Sequence, residues 1–167
     1  YQDAEIDPPA QGKRKAKDRN AVERRMWALY DRDEIPLSAR QVRRARRAYY
    51  AMISYCDDVL GRLLQALEVS GLAGNTIVVV TADHGDMLGE RGLWYKMTFY
   101  ERAVRVPLLF AGPGIKPRRR IREAVSHLDL LPTLASLVGA QPGNAGLDGR
   151  DLAPAHPERA AAMRSRL

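Results

Sequence analysis

The chain has 167 residues, is 46% hydrophobic and carries 27 Lys and Arg against 20 Asp and Glu, for a formal net charge of +7. That is enough apolar material for one compact core, and no stretch approaches the roughly 18 apolar residues of a membrane span, so no membrane partner is expected. The single cysteine, Cys56, excludes an internal disulfide; it is compatible with a reducing compartment, and a cytoplasmic location is the expectation.

Residues 1–37 read as a basic, mostly irregular segment. The chain opens at Tyr1 with no basic-then-apolar leader, as expected of a processed or truncated product. Pro8, Pro9 and Gly12 interrupt regular structure, and the first basic run, Lys13 to Lys17, follows. Asp18 is placed to cap a short helix through Trp27 and Leu29 that ends before Pro36. Ser38 opens the clearest helix. Val42, Ala45, Tyr49, Met52, Ile53, Cys56, Val59, Leu60, Leu63, Leu64 and Leu67 recur at spacings of three and four. That period predicts one broad buried stripe with Cys56 as a packed thiol. Gly71 is placed to take the left-handed stop.

Asn75 marks a turn, and Thr76 to Thr81 has four consecutive aliphatics, which predicts a strand buried on both faces. A second strand is predicted over Val106 to Ala111, with Pro107 near its start and Gly112-Pro113-Gly114 at its end. Arg122 to Ser126 is a weaker third. Asp129 is then placed to cap a helix through Leu137, with Pro132 in the first turn and Gly139 as its stop. Strands alternating with helices make the class α/β, with a mostly parallel sheet flanked by helices. The domain is read over 38–151. Residues 152–167 are rich in Ala, Arg and Pro and read as a tail, and no internal repeat is present.

Three runs, Lys13 to Lys17, Arg40 to Arg47 and Lys116 to Arg122, carry most of the excess charge. A nucleic-acid surface would interleave aromatics with them, and only Tyr49 and Tyr50 adjoin a run. No nucleic-acid partner is therefore expected. The runs read as solvated faces, with attraction of an anionic substrate as the alternative.

The stretch that carries chemistry begins where the buried strand ends: Thr81-Ala82-Asp83-His84-Gly85-Asp86-Met87-Leu88-Gly89-Glu90-Arg91-Gly92-Leu93-Trp94-Tyr95-Lys96. Open α/β sheets place ligands at the carboxyl ends of their strands. Asp83 and His84 leave the strand there, and a carboxylate beside an imidazole could hold a divalent cation, with Gly85 letting the backbone turn close to it. Asp86 and Glu90 add nearby carboxylates, and Lys96 offers a point charge for an anion. The same tripeptide could instead be a plain turn in which Asp83 bonds to backbone amides.

The run from Asp83 to Lys96 resembles the second metal-binding motif of the sulfatases, members of the alkaline-phosphatase-like superfamily. The longer string from Asp83 to Leu109 is most similar to choline sulfatases, as are Arg43 to Glu68 and Ser126 to Gly139; more faintly, so is the opening Asp3 to Pro9. The resemblance implies the C-terminal portion of a catalytic domain with part of an alkaline-phosphatase-like fold. It implies that Asp83 and His84 lie at the metal site and that Lys96 contacts the sulfate group; His84 on the sulfate is the alternative. The implied metal is calcium, with magnesium or manganese as alternatives. The implied substrate is a small sulfate ester, split to choline and sulfate, and the complete enzyme is expected to be a homo-oligomer. Two alternatives stay open: a phosphonate or phosphate monoester hydrolase of the same superfamily, and a non-catalytic binding module that keeps the half-fold.

The family's nucleophile is a formylglycine made from the Cys or Ser of a C/S-x-P-x-R motif. Cys56 stands in Cys56-Asp57-Asp58-Val59-Leu60, and no serine starts such a motif, so the nucleophile is absent from these 167 residues. The chain alone is accordingly expected to be inactive. His127 reads as structural beside the Asp129 cap and His156 as exposed in the tail, and neither matches a family histidine.

Overall fold

The structure, a computed structural model, describes residues 5–29, 36–140 and 146–153. His156 and most of the tail lie outside the described residues, as do Asp3 and Ala4 of the opening. The chain divides into two compact units, one of residues 1–71 and 80–109, the other of residues 72–79 and 110–167. No helix among the described residues is long and apolar enough to cross a membrane.

Helix α1, Ala21–Leu29, starts two residues later than Asp18 would have it. Asp18 sits in a preceding 3-10 turn, Ala16–Asp18. The cap is Asn20, whose Oδ1 accepts from Glu23 N at 2.8 Å while Glu23 Oε2 accepts from Asn20 N at 3.1 Å. A side-chain acceptor followed three residues on by a glutamate satisfies two otherwise orphaned amides reciprocally, which Asp18 cannot do here. The helix delivers Met26 and Trp27 to the core of the first unit, where they meet Met87, Leu93 and Ala103 with Tyr100 at the edge. The Arg19 guanidinium lies 3.8 Å and Lys13 Nζ 4.5 Å from the centroid of the Trp27 ring, so this part of the basic N-terminal segment packs as cations on an indole.

Helix α2, Ala39–Val69, begins and ends as its sequence predicts. Ser38 Oγ accepts from Gln41 N at 3.3 Å and Gln41 Oε1 accepts from Ser38 N at 2.8 Å, a reciprocal cap. Gly71 follows the last turn at φ 74°. The expected buried stripe, however, is not buried. Met52, Ile53, Val59 and Leu63 are exposed, and Cys56 is an exposed free thiol rather than a packed one. Periodicity identifies the apolar face of a helix, but burial needs a second surface against it. The buried residue of α2 is Arg46, 6% exposed, which donates from Nη1 to the Leu88 carbonyl at 2.9 Å.

Strand β1 is Val78–Thr81 and strand β2 is Leu108–Ala111, paired in a two-stranded sheet. Each is two residues shorter than its pattern. Before β1, the turn Ala73–Asn75 holds the chain back, and Thr76 Oγ1 donates to the Leu72 carbonyl at 2.9 Å. Before β2 stands Pro107, which has no amide to give and whose carbonyl accepts from Thr81 Oγ1 at 2.8 Å. The valines of β1 are half-buried, not sealed on both faces. The predicted third strand, Arg122 to Ser126, is absent. Its amides go to side chains, Arg122 N to Glu123 Oε2 at 3.1 Å and Ser126 N to Asp129 Oδ2 at 2.8 Å, so they are not offered to a ladder. Helix α3, Glu101–Val104, is one turn between the strands.

In the second unit a 3-10 turn, His127–Asp129, leads into helix α4, Leu130–Val138. Asp129 holds the N-cap position of α4 but makes no side-chain cap bond there; Ser126 caps the preceding 3-10 turn. Ser126 Oγ accepts from Leu128 N at 3.3 Å, and Asp129 reaches back to the Ser126 amide as the second half of a capping box. Asp129 Oδ1 also accepts from Arg150 N at 2.7 Å, and Thr133 Oγ1 accepts from Leu152 N at 2.9 Å. Residues 149–152 are thereby strapped to the start of α4. Gly149 is required in the strap, since a Cβ there would lie 1.9 Å from the Leu128 carbonyl oxygen. Gly139 ends α4 at φ 74°, as expected.

Candidate functional site

Asp83 and His84 stand just past the end of β1, and the loop that carries them runs to Lys96. The glycine between the two halves of that loop has a steric reason. Gly85 N donates to the Ala103 carbonyl at 2.8 Å, and a Cβ on Gly85 would meet the Arg102 carbonyl oxygen at 2.0 Å. Only glycine lets the backbone dock this closely on α3. The return limb is pinned to the outward limb by Met87 N donating to the Tyr95 carbonyl and Gly89 N to the Leu93 carbonyl, both at 2.8 Å.

That closure brings three predicted residues together on His84. Its Nδ1 lies 2.8 Å from the Gly85 carbonyl, which only accepts, so the Nδ1 proton is donated there. Nε2 then presents its lone pair, and Lys96 Nζ donates to it at 2.5 Å. Asp83 Oδ2 approaches the same Nε2 at 3.1 Å, while Asp83 Oδ1 accepts from the His84 amide at 3.0 Å. Two acceptors facing each other at 3.1 Å call for a positive group between or beside them, and Lys96 supplies one.

The set is open to solvent: the Asp83 side chain is 83% exposed and that of His84 37%. An apolar cleft of about 240 Å³ exists in the same unit, lined by residues that include Trp27, Leu37, Val42 and Trp94, but it includes none of the three site residues.

Asp83 Oδ2 and His84 Nε2 fit as part of a shell for a divalent cation. One oxygen and one imidazole nitrogen 3.1 Å apart can share an ion at the usual bond lengths of about 2.0–2.5 Å. They are only part of one, because no group of three or more His, Cys, Asp or Glu comes together among the described residues. The other two carboxylates of the motif do not join them. Asp86 Oδ1 accepts from Leu88 N at 2.8 Å, a local turn. Glu90 is buried and accepts from Ala10 N at 2.9 Å and Gln11 N at 2.8 Å, with the Arg46 and Arg102 guanidiniums 4.0 and 3.9 Å away. It ties the N-terminal segment to the loop and is not part of the site.

Sequence reasoning did not find Tyr95. It takes the left-handed region at φ 64°, immediately before Lys96, in a loop where Leu88 (φ 47°) and Arg91 (φ 56°) do the same. A bulky residue there carries strain that surrounding structure must hold. Its carbonyl is fixed by Met87 N, and the turn it makes aims Lys96 back at His84. No sequence signal marks such a residue, because its side chain does not favour the conformation.

The sequence profile of the sulfatase family matches residues 3–140 of the chain. The chain is 42% identical over 139 residues to the choline-sulfatase of Rhizobium meliloti strain 1021, covering 83% of this chain and 27% of that protein. It is 42% identical over 106 residues to arylsulfatase K of Xenopus laevis, covering 64% of this chain and 20% of that one. Among solved structures, a phosphonate monoester hydrolase from Silicibacter pomeroyi superposes with a TM-score of 0.69 at 35% identity, over 75% of this chain and 24% of that one. The chain thus spans about a quarter of the length of the relatives it matches, and within that span it shares their alkaline-phosphatase-like α/β fold.

Proposed function

The chain belongs to the sulfatase family, and on that premise we propose that its β1 loop works on the sulfuryl group of a sulfate ester, with choline sulfate as the substrate of the complete enzyme. The observation that carries the reading is the convergence of Lys96 Nζ and Asp83 Oδ2 on His84 Nε2 at the end of β1. The 42% identity to a choline-sulfatase supports the choice of ester.

In this reading the ester S–O bond breaks as a hydrate oxygen bonds to sulfur, the hydrate's proton leaves with the alcohol, and sulfate is released when the second hydroxyl closes back to the aldehyde, which water rehydrates. The attacking oxygen comes from a formylglycine hydrate outside these residues, since no C/S-x-P-x-R motif occurs among them. Lys96 swings from His84 onto the sulfuryl oxygens, a short move for a flexible side chain, and offsets the charge that develops on them. The Nδ1 bond to Gly85 keeps the His84 ring in one orientation, with its Nε2 lone pair turned toward Lys96 and Asp83. A divalent cation held by Asp83 and His84, calcium by family resemblance or else magnesium or manganese, would supply further positive charge for binding and polarising the sulfate.

A second reading, hydrolysis of a phosphonate monoester, is favoured by the superposition on the Silicibacter pomeroyi enzyme. A sulfate ester and a phosphonate monoester present similar oxygens to Lys96, so the two differ in the rest of the pocket. The test is made in an enzyme that contains this segment with its nucleophile. Lys96→Ala is expected to lower kcat/KM for choline sulfate by about 100-fold or more while unfolding stability stays within about 0.5 kcal/mol, as for a surface lysine. Asp83→Asn is expected to weaken metal affinity by roughly 10- to 100-fold. Unchanged kinetics in the first and unchanged metal content in the second would overturn the assignments. A phosphonate monoester turned over faster than choline sulfate would favour the second reading.

A further inference from the structure

The second unit holds a groove that the sulfate-ester reading does not use. It measures about 450 Å³ and is lined by Arg119, Arg120 and Arg122 on one stretch and Arg150 on another, with Glu123 and Asp151 between. The lining holds four arginines and two acids, and Lys116 and Arg118 flank the first stretch. The two stretches are brought together by the side chain already described in the α4 cap. Asp129 accepts from Ser126 N with one oxygen and from Arg150 N with the other, which joins the end of the first stretch to the start of the second. Arg150 is held further, Nη2 donating to the Ala124 carbonyl at 2.8 Å. Both carboxylates of the lining are occupied with backbone amides, Glu123 Oε2 with Arg122 N and Asp151 Oδ1 with Ala153 N.

We infer that this groove binds a small polyanion carrying two or more sulfate or phosphate groups. Its volume lies in the range of small-molecule sites, about 300–1,000 Å³, and exceeds the needs of one tetrahedral ion. Its cations are arginines, whose planar forks match the paired oxygens of such groups better than a lysine does. A plain solvated basic run accounts for Arg118 to Arg122 but not for Arg150, which the Asp129 bracket delivers from 28 residues beyond Arg122 to the same groove. The remaining lining is Ile121, Val125 and Leu152. With no aromatic ring to stack a base, the groove lacks what a single-stranded nucleic acid would need.

The full 167-residue chain, dilute and at low salt, is titrated calorimetrically with tripolyphosphate and with a fully sulfated disaccharide. Both are expected to bind at one site, with affinity falling as salt screens the charges. Arg122→Ala and Arg150→Ala are each expected to weaken binding by about tenfold, the usual loss for one charge-assisted contact, with circular dichroism unchanged. Glu123→Gln is expected to tighten it, a gain that partial unfolding would not produce. Arg43→Ala on α2 is the control for general attraction to a +7 chain and is expected to change nothing. Absence of binding, an equal loss in the Arg43 control, or tighter binding of a single-stranded oligonucleotide of matched charge would each overturn the inference. None of these outcomes depends on sulfate-ester turnover, so this site and the β1 loop are tested separately.

Discussion

Within the loop that follows β1, the acidic side chains divide by burial. Asp83 is exposed and meets His84, whereas Glu90, with a side chain 6% exposed, meets two backbone amides and two guanidiniums. A carboxylate that satisfies buried donors is expensive to remove, because its partners are left desolvated and unpaired. Glu90→Ala is therefore expected to lower unfolding stability by roughly 3 kcal/mol or more, and Glu90→Gln by less, since the amide keeps one acceptor. Denaturant melts followed by tryptophan fluorescence would show it, Trp27 being in the adjoining core. A loss under about 0.5 kcal/mol for the alanine variant, the level of an ordinary surface change, would remove Glu90 from this role. From sequence, Glu90 and Asp83 looked alike, two acids near one histidine. What separates them is which backbone the loop encloses, and that depends on residues 10 and 11, some eighty positions away. The left-handed Tyr95 was equally invisible. The glycine of the Asp-His-Gly motif was read as letting the backbone turn close to a cation, whereas the close approach it makes is to the Arg102 carbonyl of α3.

Among the elements, helix ends followed from local chemistry and helix burial did not. Ser38, Gly71 and Gly139 act through atoms three or four residues away, and the structure uses all three as expected. Asp18 failed as a cap because Asn20, with an acid three residues later, made the better reciprocal pair, and Asp129, at the N-cap position of α4, gives its carboxylate to the Ser126 and Arg150 amides instead. The α2 stripe is the larger departure. Met52, Ile53, Val59 and Leu63 repeat on one face that no described residue covers. An exposed apolar face of this length promotes association. The 167-residue chain is expected to self-associate as its concentration rises, and Met52→Glu with Leu63→Glu to shift sedimentation toward monomer without loss of helix signal; unchanged sedimentation would contradict this. The start of α4 yields a pH dependence. Amide bonds from Arg150 and from Ser126, together with the Arg150 charge, hold the Asp129 carboxyl below its ordinary value. A folded-state pKa below the unfolded one contributes stability above the ordinary carboxylate range, near 3.9, and loses it as pH falls through the lower folded value. Asp129→Asn is expected to shrink the drop in thermal midpoint on acidification below about pH 4; a variant with the wild-type acid slope would contradict it.

At the scale of the whole molecule, two compact units are built over about a quarter of the length of the relatives. Asp83, His84 and Lys96 were singled out from their place after a strand and from family resemblance, and folding brings Asp83 and Lys96 onto the His84 imidazole. No C/S-x-P-x-R string occurs among these 167 residues, and no group of three or more His, Cys, Asp or Glu comes together among the described ones, so a metal held by Asp83 and His84 alone would bind weakly. The central claim is that this loop supplies the sulfate-contacting lysine and part of a metal shell to a sulfate ester hydrolase. It is tested most directly by grafting residues 41–151 in place of the matching segment of the Rhizobium meliloti choline-sulfatase and measuring sulfate release from choline sulfate. A folded chimera is expected, with metal-dependent release that Lys96→Ala lowers about 100-fold or more. A chimera with native circular dichroism and full metal content that releases no sulfate, or one whose release is indifferent to Lys96→Ala, would contradict it.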